Sequence, residues 1–274
     1  MTSIINTKTF SPHKVLAPYI FHYSMMKIKT KNFHELQVKT FPFALASISV
    51  GLRNTKIKQF NSKSNISTIH TSSVMGLFPI ESPTYLSPFQ DNTYGISILL
   101  THRGVNKLLR LPLKELYMTN INLDSLFGNS IKLLVDQLEN LENEVEMINC
   151  LDNYFIRKLN STNRVNDPIV TKLIHLMNHS NSINSVHDLA NEMNMHVRTL
   201  ERKFAQNIGL RPKEFLRLTR FIRLKYYLSN APGMHWAELI LKCGFYDQPH
   251  LDHEISKVTD MSVRDFIKLA QNIS

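Results

Sequence analysis

Two short helical patterns of one kind lie within residues 185–266, joined by a longer basic helix. The first runs SVHDLANEMNMHVRTLERKFAQNIG, from Ser185 to Gly209, and the second WAELILKCGFYDQPHLDHEISKVTD, from Trp236 to Asp260. In each, a short amphipathic stretch is followed across a tight turn by a second one. That is the pattern of a helix-turn-helix, and a tandem of two suits a chain that reads a long stretch of duplex DNA without needing a partner.

The local chemistry supports the pattern. Ser185 and Asp188 stand three apart, as in a capping box, before Leu189, Ala190 and Met193 of a short helix. Asn194 and Met195 make the turn, and a helix from about Val197 buries Leu200 and Phe204 one turn apart. Gly209 reads as a left-handed stop, and Pro212 opens the long helix KEFLRLTRFIRLKYYLSN. At 1.5 Å per residue that helix spans roughly 25 Å, enough to hold two reading heads about one DNA turn apart. Trp236 opens a further helix and is expected to pack against Leu239 and Ile240.

The rest of the chain has a different character. Residues 1–100 are β-rich: apolar or alternating runs such as FPFALASISV, NISTIHTSSVMGLF and YGISILL are broken by Pro, Gly, Asn and Ser. PHKVLAPYIFHYSMM reads as an entry segment at a sheet edge. Helical patterning begins at Thr101, with HRGVNKLLRL stopped by Pro112. Over residues 123–160, Leu126, Ile131, Leu134, Leu138, Leu141, Val145, Ile148, Leu151, Phe155 and Leu159 recur at helical spacing. That stripe suits packing onto the β-region, and also a homodimer seam. ENLENE is a solvated face or a bend between two helices. The expected architecture is α+β: a β-rich sensor or dimerisation domain over residues 1–160 with helices at 101–160, a linker at 161–167, and an all-α DNA-binding domain over 168–274. Phe41, Phe43, Phe78, Tyr85, Phe89 and Tyr94 suit the β-core better than a ligand pocket, so the effector is left unnamed.

Net charge is +10, unevenly spread. Residues 1–110 hold thirteen Lys/Arg against three Asp/Glu, residues 111–165 five against eight, and residues 166–274 fourteen against eleven. Residues 196–225 concentrate nine basic side chains (Arg198, Arg202, Lys203, Arg211, Lys213, Arg217, Arg220, Arg223 and Lys225) against Glu201 and Glu214. Residues 226–274 hold four against six. On charge, the first unit carries the DNA footprint and the second does not.

Leu189, Ala190, Arg198, Thr199, Leu200, Arg202, Phe204, Gly209, Pro212, Phe215, Arg220 and Leu224 resemble the first half of the AraC/XylS-type regulator domain. Gly244, Phe245, Asp247, Gln248 and His250 resemble the turn and recognition-helix start of its second half. Pro12, Leu16, Tyr19 and Ile20, then Tyr94, Gly95 and Ile96, then Leu111, Pro112, Leu126, Phe127 and Gly128, resemble more faintly the N-terminal domain of some such regulators. The resemblance implies a bacterial-type regulator, more often an activator, with the second helix of each unit in a major groove and RNA polymerase as a partner.

Carried over by position, the DNA-facing residues are Arg198, Thr199, Glu201, Arg202 and Lys203 in the first unit, and Gln248, His250 and His253 in the second, beside Pro249 and Asp252. Arg198 and Arg202 share one helical face and suit guanine O6 and N7. Arg202 is expected to read a base and Arg198 a base or a phosphate, with Thr199 and Lys203 on the backbone. Leu251, Ile255, Ser256, Asp260 and Val263 depart from the family pattern, as do His196 and Arg211, which stand where serine caps are usual. Asp252 and Glu254 place acid near the expected phosphates. The competing reading is therefore an interaction module that keeps the fold with weakened DNA readout.

No Gly-rich phosphate loop or nucleophile elbow occurs, and His250, Asp252, His253 and Glu254 suit a helix surface better than a metal site. No enzyme activity, metal or cofactor is expected. Cys150 and Cys243 lie far apart and fit a reducing cytoplasm, MTSIINTKTFSPHKV lacks the pattern of a secretory signal, and no apolar run suits a membrane span, so a cytoplasmic protein is expected.

Overall fold

The computed structural model describes the chain apart from residues 1–3, 31–37, 41–45, 54, 62–65, 71, 76–83, 89–91, 110–119, 163–167, 180–182, 184, 208–209, 232 and 273–274. The fold is α+β, in two compact units. One holds the described residues up to Thr162 and the other those from Pro168 onward. Phe41, Phe43, Phe78, Phe89, Leu111, Pro112 and Gly209 lie outside the described residues, and with them the aromatic run, the first helix stop and the left-handed stop after Asn207.

Strands β1 (Ile4–Phe10), β2 (Ile20–Lys29), β3 (Val38–Thr40), β4 (Ala46–Leu52), β5 (Ile57–Asn61), β6 (Ile66–His70), β7 (Ser72–Met75), β8 (Thr84–Pro88), β9 (Asn92–Leu100) and β10 (Asn120–Asn122) form two antiparallel sheets. Their orders are β1-β2-β9-β4-β7-β10 and β3-β8-β5-β6. The described parts of the run read as one segment, NISTIHTSSVMGLF, form two strands, β6 and β7, which belong to different sheets. The entry segment pairs as expected near an edge, but β1, which covers it, carries the polar alternation INTKT and gave no apolar signal.

Leu16, Ile20, Tyr23, Ile48, Ile96, Ile98 and Leu100 are essentially fully buried and form the core of the larger sheet. After β9 the chain makes a helical turn, α1 (His102–Gly104), and a π-turn over Val105–Leu109. The turn packs so tightly on Tyr19 that a Cβ at Gly104 would lie 1.9 Å from the Tyr19 carbonyl oxygen, so only glycine fits there.

Helices α2 (Leu123–Phe127), α3 (Asn129–Glu139) and α4 (Glu144–Asn160) carry the stripe read over residues 123–160. Residues 140–143 of ENLENE make the bend, and the Asn143 side chain caps α4 by accepting from the Val145 N–H at 2.8 Å. The stripe turns inward: Ile131, Leu134, Leu138, Ile148, Leu151, Phe155 and Leu159 are buried, with α3 against β4 and α4 against the π-turn. The stripe packs within its own unit, the first of its two expected uses. Leu133 and Val145 are the exposed apolar residues of α3 and α4.

Polar links hold α4 onto the sheet. Tyr23 Oη donates to Asp152 Oδ1 at 2.7 Å, and the His13 N–H reaches the same oxygen at 3.1 Å. Burial and the Asp152 carboxylate push the Tyr23 hydroxyl well above the usual tyrosine range. Lys8 and Lys27 converge on Glu144 at 2.7 and 2.9 Å, holding its carboxyl below the usual value.

The second unit is all helical: α5 (Pro168–His179), α6 (Val186–Glu192), α7 (Val197–Asn207), α8 (Pro212–Asn230), α9 (Trp236–Cys243), α10 (Gln248–Thr259) and α11 (Val263–Asn272). α8 is its spine, burying Phe215, Leu216, Leu218, Phe221, Leu224 and Leu228 and touching α5, α7, α9 and α11. Phe204 meets Phe215 edge-on at 5.4 Å, and Phe221 meets Phe266 at 5.1 Å. Cys150 is half-buried and Cys243 buried, in separate units. Among the described residues no helix is long and apolar enough to cross a membrane.

Candidate nucleic-acid interface

The two expected helix-turn-helix units are α6–α7 and α9–α10, and the same backbone device closes the first helix of each. At the end of α6, Asn194 is left-handed (φ 48°) and donates to Asn191 O at 3.0 Å, while Met195 reaches back to Ala190 O at 2.9 Å. At the end of α9, Gly244 (φ 78°) donates to Leu241 O at 3.1 Å and Phe245 to Ile240 O at 3.0 Å. This pair of bonds is a Schellman closure, which satisfies the last carbonyls and redirects the chain. The Ser185–Asp188 capping box forms in both directions at 2.8 and 3.1 Å.

Helix α7 buries Leu200 and Phe204 completely, which fixes its outward face. Arg198, Glu201 and Arg202 are exposed, with Thr199 and Lys203 half-exposed at the flanks. Arg198, Thr199, Glu201, Arg202 and Ala205 line one groove together with His196 and Arg211. In the sequence His196 reads only as an unusual cap, and Arg211 as an unusual cap and as one of the nine basic residues. At the start of α8, Glu214 takes over the capping role by accepting from the Arg211 N–H at 2.9 Å, so the Arg211 side chain is left to the groove.

The second recognition helix is built differently. Asp247 caps α10 by accepting from the His250 N–H at 2.8 Å, and His250 Nδ1 accepts in turn from the Tyr246 N–H at 3.2 Å. The His250 ring also sits edge-on to Phe245, 5.6 Å away. His250 is therefore a turn-closing residue, with Nε2 as its remaining polar atom. Gln248, Pro249, Asp252 and His253 are exposed, and Gln248 and Asp252 line a groove with Trp236, Ser256 and Arg264. Trp236 is half-buried on that groove rather than in the core, and its indole N–H has no partner among the described residues.

Two charge assignments need correction. Glu254 does not stand among the expected phosphate contacts: its side chain is 11% exposed and lies 2.5 Å from Arg217 Nε, as an ion pair rather than an aligned hydrogen bond. Nor do all nine basic residues of 196–225 face outward. Arg217 is spent on Glu254, and Arg223 donates to the Met177 carbonyl at 2.8 Å. Burial lowers the pKa of both Arg220 and Arg223, with Glu254 opposing the shift at Arg220. These three arginines lie along the packed faces of α8, leaving Arg198, Arg202, Lys203, Arg211 and Lys213 toward the first unit's surface.

Residues 189–268 match a protein-family model described as a helix-turn-helix domain. With the closures, the buried pairs and the spine helix in place, that match decides the type. The C-terminal unit is an AraC/XylS-type helix-turn-helix domain. A domain of this type supports a DNA-binding transcriptional regulator. Among solved structures, the chain is similar to two of ToxT from Vibrio cholerae, an apo form and a 1.65 Å form, at 12% and 13% identity and TM-scores of 0.49. Each covers 98% of this chain, and the aligned parts make up 98% and 99% of those chains. The AraC-like transcriptional activator CuxR aligns at 12% identity over 87% of this chain and 91% of its own, with a TM-score of 0.30. No curated protein matches the chain.

Proposed function

We propose that the chain is a transcriptional activator whose first helix-turn-helix dominates operator recognition. The observation that carries this reading is the groove on α7, where Arg198, Thr199, Glu201, Arg202 and Arg211 converge on one outward face. Arg202 and Arg198 are one helical turn apart, each with a guanidinium fork that matches guanine O6 and N7. Thr199 and Lys203 flank them toward the phosphates. The second unit contributes Gln248 and His253 from its exposed face, with His250 acting mainly through the turn it closes. α8, at nineteen residues, is about 28 Å long and sets the distance between the two heads near one DNA turn.

In this reading the N-terminal β-unit senses an effector of unassigned chemistry and RNA polymerase is the downstream partner, both drawn from the family. A second reading, an interaction module with weakened readout, is favoured by Leu241 and Tyr246, which are 73% and 89% exposed on the second unit. Binding to a genomic promoter library against random duplex, titrated across salt, separates the two. The regulator prefers particular fragments by a factor of a thousand or more, on the order of specific-to-nonspecific ratios for such proteins. The interaction module binds all duplexes alike.

A further inference from the structure

The two recognition helices are placed in register by their own turns. The left-handed closures at Asn194 and Gly244 are equivalent, as are the buried pairs Leu200/Phe204 and Leu251/Ile255. The spacing grows by one residue between closure and helix, and Asp247, the cap of α10, marks the longer turn. In this register Glu201 corresponds to Asp252 and Arg202 to His253, and all four are exposed. Each helix thus presents an acid followed by a base at the same place on its outward face. Glu254, the counterpart of Lys203, is drawn inward to Arg217, so Asp252 is the carboxylate that remains on that face of α10.

We propose that Asp252, at the position equivalent to Glu201, is a base-reading residue that selects cytosine in the second half of the operator. This rests on the regulator reading above. A carboxylate only accepts hydrogen bonds, and an acceptor among phosphates is repelled. In the major groove cytosine offers the N4 amino donor with no acceptor beside it, whereas guanine presents two acceptors and adenine pairs its donor with N7. A lone carboxylate on a recognition helix is matched by cytosine above the other bases. The negative balance of the second unit then becomes a specificity device, and the basic residues of the first unit supply the affinity.

The test is selection of bound duplexes from a random library by the full-length wild type, Asp252→Ala and Asp252→Asn, with melting temperatures as a fold control. The wild type should enrich a site with cytosine at one position of its second half. Asp252→Ala should lose about five- to tenfold of preference at that position alone, and Asp252→Asn should shift it toward adenine, which an amide matches with both a donor and an acceptor. Identical base preferences in all three proteins would overturn the proposal, even if removing the charge tightened binding to every sequence. A wild type that enriches no site at all would instead overturn the regulator reading, so the two failures are distinct.

Discussion

Arg217, Arg220 and Arg223 recur every three residues on α8 and read in the sequence as part of a DNA-binding stripe. That spacing instead places them on the faces where α8 meets its neighbours, and Glu254 and the Met177 carbonyl take two of them up. Charge counting has no way to see this, because direction along a central helix depends on which neighbours pack around it. The Arg217–Glu254 pair is largely desolvated, so removing one partner strands the other. Glu254→Gln should lower unfolding stability by about 2–3 kcal/mol in urea denaturation, whereas Arg217→Met with Glu254→Leu should recover most of that loss. The reading of Arg198, Glu201 and Arg202 as an exposed set was available from sequence, since Leu200 and Phe204 fix the buried side of a single short helix.

At the level of elements, the paired Schellman closures define the tandem, and their left-handed residues carry a measurable cost. Gly244 has φ 78°, a conformation in which a β-carbon is strained, and Asp260 sits at φ 50° where the family resemblance leads one to expect glycine. Gly244→Ala should therefore destabilise the protein by about 1–2 kcal/mol, and Asp260→Gly should be neutral or stabilising by up to about 1 kcal/mol, both read by thermal melting. The helices of the second unit were legible because 3.6-residue periodicity, caps and stops are local signals. Short polar strands were less so. β1 and β10 are defined by their partners β2 and β7, and no pattern within three or seven residues reports a partner distant in sequence.

For the molecule as a whole, the N-terminal unit is held by links between its sheet and α4, and one of them is pH-sensitive. Lys8 and Lys27 hold the Glu144 carboxyl below its ordinary 4.5. Its contribution is therefore complete above that pH and is lost as the pH falls further, through the depressed folded-state value. Both lysines are about half exposed, so the contribution is modest after screening. Glu144→Gln should cost about 0.5–1 kcal/mol at pH 7 and progressively less as the pH falls through the depressed folded-state value, measured by denaturant unfolding across that range. The stripe over residues 123–160 shows how far sequence reaches at this scale: periodicity found the helices, but the same periodicity serves an internal face or a dimer seam, and only packing decides between them.

The central claim is that the first helix-turn-helix dominates sequence-specific binding through Arg198 and Arg202. Its most direct measurement is competition binding of wild type and an Arg198→Ala, Arg202→Ala double variant to a selected operator and to random duplex at physiological salt. The expected result is loss of nearly all discrimination between the two duplexes, with weaker residual binding of both and an unchanged melting temperature. A double variant that still prefers its operator by the wild-type ratio would contradict the account.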